Sequence, residues 1–453
     1  VNKPHHAFEL NIKTASTATL AEKLNMKESS KVETREESTP VKKGKPLLLL
    51  LFFTVFIDLV GFGLIIPVMP TLAREYGASK TEVGLLIASY SLMQFLFTPF
   101  WGKLSDKVGR RPILLISLAA SALGYIIWGF AGSLWMLIAS RVVAGIGNAN
   151  IAVAQAYVAD VTTDETRSKG MGAIFAGFGL GFVMGPALGG LFTSKWLASF
   201  WAAHGITAFA EHPLQVIGFV AAFFSLLDLV CTAIFLPEPE KRGSAGVDRY
   251  GQGRHFIIET LQDTRLQPSL LIFFISTFAF ANMEATLVLL TLDKFGYGPT
   301  QNSLMFTYVG LLICFVQGGF IHHLYKIFGE KKLVTFGTAT IGVGLLMCPF
   351  GSSQILLYVA LAVLAIGSGI NTPANQSMLS KLANRDKMGA VLGVGQSLAT
   401  LGRILGPAIG CLAYDKLGMQ SPYVIGAVSM VVALLLSLKV PPLQTSVQPE
   451  ATA

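Results

Sequence analysis

GKLSDKVGRRP, residues 102–112, places four cations and one carboxylate within eleven residues, and apolar runs of about twenty residues flank it on both sides. The surroundings of this stretch decide the fold. The 453-residue chain is 52% hydrophobic and only 13% charged, whereas soluble domains average about 25% charged residues. A water-soluble chain of this length would form two or three domains and need much more polar surface. Lipid is therefore the expected main solvent. The net charge of +8 does not point to nucleic acid, because the cations sit in short loops and no basic domain stands apart.

Twelve apolar segments have spanning length, about 17 to 27 residues each. They lie near 47–70, 82–101, 112–131, 134–160, 167–193, 214–236, 269–292, 302–324, 333–350, 354–380, 387–414 and 421–439. Residues 1–45 are polar, lack a strong apolar face and read as a disordered tail, with His5 and His6 in it. The first apolar run, Leu47 to Pro70, is too long for a signal segment. Cys231, Cys314, Cys348 and Cys411 all fall inside apolar runs without a C-x-x-C pair, as buried small hydrophobes do. No metal site is expected.

Charge asymmetry orients the chain. One set of loops holds seventeen cations and the alternate set five, so the positive-inside rule puts both termini and loop 102–112 in the cytoplasm. The sequence also repeats itself. GPALG at 185–189 returns as GPAIG at 406–410, Asn150 as Asn371, Gln155 as Gln376 and Gly109 as Gly329. Offsets that agree to within one residue indicate duplication of a six-helix unit. The expected units are a tail 1–45, a six-helix bundle 46–236, a cytoplasmic linker 237–268, a second bundle 269–440 and a tail 441–453. Two such halves suggest a transporter with its site at the midplane between them.

The chain resembles the major facilitator superfamily over nearly all of residues 47–440. GKLSDKVGRRP matches its loop 2–3 signature, G-x-L-x-D-[RK]-x-G-R-[RK]-x. RVVAGIGNANIAVAQAYVAD (141–160) and GFGLGFVMGPALGG (177–190) match the helix 4 and helix 5 motifs of drug/proton antiporters, and FIDLVGFGLIIPVMP (56–70) is similar to the first helix of tetracycline/proton antiporters. The resemblance implies an all-α membrane protein of twelve transmembrane helices in two pseudo-symmetric bundles. It implies that the loop is a state-dependent clasp, with Asp106 near the N-terminus of helix 11 in the outward-facing state and Arg110 paired with Asp106 and Asp160. Arg111 belongs to the same signature. Gly102 and Gly109 are expected to permit tight turns and close helix approach. Gly177, Gly181 and Gly185 recur every four residues on helix 5 and admit another backbone closely. Pro186 then bends that helix or removes one hydrogen bond, and Gly189 and Gly190 complete the motif.

The charged residues inside the segments are functional candidates. Asp58 lies roughly 16 Å along helix 1, and Arg141 roughly 10 Å along helix 4 from the opposite face. A carboxyl there can exchange a proton as its cavity opens and closes. Arg141, Asn148 and Gln155 are seven apart, which places them on nearly one helix face. Glu284 is the other deep carboxylate, with Asn282 beside it; the alternative for Glu284 is a helix-end group pairing with headgroups or a loop. Gln94 and Asn371 either line the path or make interhelical hydrogen bonds. Asp228 either serves the site or snorkels to the cytoplasmic end, and Arg403 either couples to it or pairs with a nearby acid.

The tetracycline exporters carry further acids at positions that correspond to Gly124 and Ile341, which puts tetracycline itself in doubt and suggests a cationic or lipophilic substrate. The resulting expectation is proton-coupled efflux of small amphipathic compounds, with protons and a small molecule as partners in a lipid bilayer. A bacterial inner membrane, a monomer and no cofactor beyond the proton gradient complete it. The alternatives are a metabolite importer or uniporter and, in a different class, a membrane-embedded enzyme or receptor. No H-E-x-x-H or Ser/His/Asp set supports catalysis, and no G-x-x-x-x-G-K-[ST] supports ATP-driven pumping.

Overall fold

The computed structural model describes residues 44–239 and 253–440, apart from 149, 163, 352, 385 and 386. The readings of 1–45 and 441–453 as tails fall almost wholly outside the described residues, as does the middle of the expected linker. The rest is helical, with no strand among the described residues.

The helices, in chain order, are α1 (Gly44–Ile65), α2 (Met69–Glu75), α3 (Lys80–Val108), α4 (Arg110–Gly129), α5 (Leu134–Gly147), α6 (Asn150–Val161), α7 (Asp164–Phe192), α8 (Lys195–Ala203), α9 (Thr207–Glu211), α10 (Pro213–Phe235), α11 (Gly253–Gln262), α12 (Gln267–Phe295), α13 (Pro299–Phe315), α14 (Ile321–Phe350), α15 (Gln354–Leu382), α16 (Met388–Leu417) and α17 (Ser421–Lys439). A π turn, Val316–Phe320, joins α13 to α14. Eleven stretches are long and apolar enough to cross a membrane, and one of these, Pro299–Phe350, has 52 residues. A straight helix of that length would measure about 78 Å, against a hydrocarbon core of about 30 Å. Gly329 breaks it with φ 70° and ψ 164°, so the stretch crosses twice and the chain crosses twelve times.

The duplication is visible in the backbone. Gly109, with φ 120° and ψ 159°, turns the chain between α3 and α4, as Gly329 does 220 residues later. Only glycine takes that conformation without strain. The hydroxyls of Ser133 and Ser353 cap α5 and α15 by accepting from the amides of Met136 and Leu356. Gly124 of α4 meets Ala144, and Gly344 of α14 meets Leu364. Three of these pairs share one offset because the same turn, cap and close contact were copied. Buried apolar clusters are likewise drawn either from residues of α1 to α10 or from residues of α12 to α17.

Gly102 lies inside α3, so the expected turn there is absent and Gly109 alone makes the hairpin. The stretch 47–70 divides into α1 and α2, and the expected fourth segment divides into α5 and α6. The linker region contains α11, which the sequence reading did not foresee.

Glycine seams bring backbones together. A Cβ on Gly177 would stand 2.9 Å from the carbonyl oxygen of Phe52, on Gly181 2.5 Å from Leu59 Cβ, and on Gly185 2.7 Å from Gly63 Cα. These three glycines seat α7 on α1. α7 runs unbroken through Pro186, whose ring lies over Gly63. In the second half, Gly402, Gly406 and Gly410 seat α16 on α12 in the same way.

The halves meet through α3 with α16 and α7 with α13. At the end away from loop 102–112 they are closed. Lys80 Nζ reaches Asp293 Oδ2 at 2.6 Å, Thr81 donates to Asp415 at 2.9 Å, and Thr300 donates to the carbonyl of Thr193 at 2.9 Å. Gly84 touches Pro407 and Cys411, while Gly189 and Gly190 touch Ser303. Toward the loop end, side chains added at Gly172 on α7, Gly318 in the π turn, and Gly389 and Gly393 on α16 would meet open space.

Replacement Gly185→Val should force α1 and α7 apart and cost about 1–3 kcal/mol, the usual range for overpacking. A lower midpoint of thermal unfolding in detergent, relative to the parent protein, is the expected result.

Candidate functional site

α5 stops at Gly147 because its last carbonyls find partners outside the helix. The indole N–H of Trp101 donates to Ile146 O at 2.6 Å, the hydroxyl of Ser117 donates to Gly147 O, and the amide of Asn148 donates to Gly145 O at 3.3 Å. In lipid such groups must be satisfied internally for a helix to end at all. The interruption corrects the expected stripe. Arg141, Asn148 and Gln155 do not share one continuous helix face, because Gln155 lies half-buried on the separate helix α6.

Freed from the helix, Asn148 links two elements. Its Nδ2 donates to Asp58 Oδ2 at 3.1 Å, and its Oδ1 accepts from Gln94 Nε2 at 2.6 Å. Asp58 is 4% exposed and Asn148 5%, so the bonds form away from water, where each counts for more. The structure thus joins Gln94 on α3, Asn148 at the end of α5 and Asp58 on α1.

Arg141 is fully buried. Its guanidinium lies over the rings of Trp128, Tyr125 and Tyr90, with centroids 5.2, 5.6 and 5.8 Å away, and its Nε donates to Ser140 Oγ at 3.3 Å. Ring faces stabilise a desolvated cation by about 2 kcal/mol or more. Nη2 makes no hydrogen bond. Arg141 borders a cavity of about 40 Å³ between the halves, together with Tyr90, Glu284 and Arg403. One oxygen of Glu284 is buried there without a hydrogen bond. Glu284 therefore faces the midplane cavity and not a headgroup. Arg403 joins it from α16, a placement the sequence reading had left between two alternatives. Ile66, Ile87 and Phe62 supply apolar walls.

Other candidates lie elsewhere. Asn282 donates to the carbonyl of Pro422 at 2.6 Å and packs beside Gly410 and Gly426, so it faces α16 and α17 and not the cavity. Asn371 donates to Ser276 at 2.8 Å and accepts from Thr338 at 3.2 Å, tying α12, α14 and α15 together. Asp228 does not snorkel, for it is 1% exposed inside the first half. Gly124 and Ile341, where the tetracycline exporters have acids, are packing positions here.

In the loop, Arg110 pairs with Asp106 at 2.7 Å and with Asp160 at 2.9 Å, and donates to Ser105 Oγ at 2.6 Å. Glu238, unforeseen, accepts from the backbone amides of Arg110 at 2.6 Å and Arg111 at 2.9 Å. A carboxylate on those amides caps α4 at the positive end of its dipole. Arg111 in turn donates to Ala233 O at 2.5 Å. In this conformation the side chains of Arg110 and Arg111 bond within their own half. The sequence signal for Glu238 was its place directly after the sixth segment, in Leu236-Pro-Glu-Pro.

Asn148→Ala would leave Asp58 Oδ2 and Gln94 Nε2 short of a buried partner. A loss of about 1–3 kcal/mol is expected, read as a lower thermal unfolding midpoint with an unchanged elution volume in gel filtration.

The comparisons with known proteins agree with this architecture. The Major Facilitator Superfamily model matches residues 51–326 and 270–453. The class C tetracycline resistance protein of Escherichia coli is 33% identical over 383 residues, 82% of this chain and 90% of its own length. Major facilitator superfamily domain-containing protein 10 of Mus musculus is 25% identical over 88% of this chain and 94% of its own. Among solved structures, the human organic anion transporter MFSD10 superposes with TM-score 0.65 at 25% identity, covering 87% of this chain and 99% of that one. Twelve crossings in two copied halves, glycine-seamed helices and a charged midplane cavity, together with these matches, make this chain a member of the Major Facilitator Superfamily, an integral membrane transporter.

Proposed function

We propose that the protein exports small amphipathic compounds in exchange for protons, by exposing the midplane cavity alternately to the two sides of the membrane. The observation that carries this reading is the set of ionisable side chains held at mid-depth: Asp58, Arg141, Glu284 and Arg403. Such groups are costly in a bilayer and are kept where a pathway uses them. A cationic substrate and a proton compete for the carboxyl of Glu284 in that cavity. Binding of one therefore releases the other, which is antiport. The relatives named as tetracycline resistance proteins support the drug class, while Gly124 and Ile341 argue for a compound other than tetracycline.

The positive-inside rule places the loop 102–112 end and both termini in the cytoplasm, so the closed end faces outward. The bundles 46–236 and 269–440 act as the two rocking bodies, and the loop clasp around Arg110 and Asp106 forms when the inner end closes. A monomer in a bacterial inner membrane, driven by the proton gradient without a cofactor, suffices for this cycle.

Efflux of a fluorescent amphipathic dye from efflux-deficient bacteria making the protein should stop when a protonophore is added. Asp58→Asn should abolish uphill efflux while the protein still reaches the membrane. Wild-type pumping by that variant would overturn the role given to Asp58.

A second reading follows from the charge of the cavity, where two guanidiniums face one carboxyl. An organic anion suits that balance, and the solved relative MFSD10 carries the description organic anion transporter. An anion on Arg403 displaces Glu284, which then takes a proton, so anion and proton travel together. In this case vesicles with an imposed proton gradient accumulate an aromatic carboxylate, and Arg403→Gln raises its half-saturation concentration at least about tenfold, the effect of losing one charged hydrogen bond.

A further inference from the structure

Asp228 of α10 takes no part in the cavity, yet it is among the most deeply buried acids of the molecule. It is 1% exposed, and Thr54 and Thr232 beside it are 0% exposed. Thr232 Oγ1 donates to Asp228 Oδ1 at 3.3 Å and lies 3.3 Å from Thr54 Oγ1. Oδ2 of Asp228 is buried without a hydrogen-bond partner. The outer face of α10, with Leu226, Leu227 and Val230, is exposed on the lipid side, so no water reaches Asp228 from there. Ser225 is committed to the carbonyl of Leu118 at 3.2 Å.

An ionised carboxylate with an unbonded oxygen in such a place is expensive, whereas the neutral acid is not. The ionisable groups on the helices packed against α10 offer it little compensation. Arg111 of α4 is held at the carbonyl of Ala233, more than a turn away. Tyr125 of α4 is buried in the ring cluster around Arg141. Lys169 of α7 and Glu211 of α9 are exposed at helix ends. Asp58 sits one turn along α1 from Thr54, on the same face of that helix, and adds a second acid instead of a counter-ion.

We infer that Asp228 is a proton-binding site of the transporter, separate from the substrate cavity and coupled to Asp58 through the paired hydroxyls of Thr54 and Thr232. A proton leaving one Asp228 oxygen is taken by a hydroxyl oxygen. That hydroxyl passes its own proton on toward Asp58, so the hydroxyls end unchanged and one carboxyl is neutral before and after. Asp58 on α1 and Asp228 on α10 titrate as a pair. The site rests on the proton-coupled reading above, in either direction of substrate movement.

The test is infrared difference spectroscopy of the purified full chain in detergent, following the carbonyl band of protonated carboxyl groups as pH is stepped. Asp228→Asn should remove one titrating band. Asp58→Asn should move the midpoint of the Asp228 band by about one pH unit, the size expected from deleting a neighbouring charge. Thr232→Val, which keeps the shape and removes the hydroxyl, should shift that midpoint as well, and it serves if Asp228→Asn fails to fold. An unchanged spectrum in Asp228→Asn, or an Asp228 band that does not respond to pH, would overturn the site. A midpoint untouched by both Asp58→Asn and Thr232→Val would overturn the coupling. Because the titration needs no substrate, a titrating Asp228 in protein whose transport ignores the proton gradient would refute proton coupling and leave the binding site standing.

Discussion

Hydrocarbon cannot donate or accept a hydrogen bond, and the rest of the molecule follows from that constraint. Helices satisfy their own backbones, so they are the elements that cross. Wherever a helix stops in the bilayer, as α5 does at Gly147, other groups must take up the freed carbonyls, here an indole and a hydroxyl from neighbouring helices and the amide of the next residue. The same constraint makes Asn148 valuable, since its two-sided amide can serve a carboxylate on α1 and an amide on α3 at once.

Association of helices in lipid gains little from apolar burial, so contact must come from close fit. The glycine seams supply it twice, α1 on α7 and α12 on α16. A seam without side chains also leaves the adjoining faces free to carry polar groups inward. Arg141 among three rings and Glu284 across from it illustrate how the first half offers aromatic faces and the second an acid to one small space.

Much of this was legible in the sequence. Twelve apolar segments, the repeat and the loop signature give the architecture, because lipid solvation and duplication both write themselves into residue order. Gly109 and Gly329 were matched by position and both proved to take positive φ. What escaped depends on direction, which order alone does not carry. Asn282 and Glu284 are two residues apart, so they point to different sides of α12, and only packing tells which side is the cavity. Arg403 could be placed only once α16 was seen to face α3. The seven-residue spacing of Arg141, Asn148 and Gln155 presupposed an unbroken helix, and the glycines at 145 and 147 were the sign that it would not be one. Glu238 lies beyond the last apolar residue of its helix, where hydropathy has nothing to say.

The closed end is fastened by few bonds. Lys80 and Asp293 keep about a quarter of their side chains exposed, and ion pairs in such settings contribute roughly 0–1 kcal/mol. The polar contacts of Thr81 and Thr193 add amounts of similar order, each about 0.5–1.5 kcal/mol. A barrier to leakage is thus built from close backbone fit, whereas its fastening is light. Ligands of micromolar affinity release about 8 kcal/mol on binding, and moving a two-state population almost completely takes a difference of about 5.5 kcal/mol. A bound molecule that prefers one arrangement by that difference is enough to unfasten this end, while the proton gradient supplies the work of uphill movement.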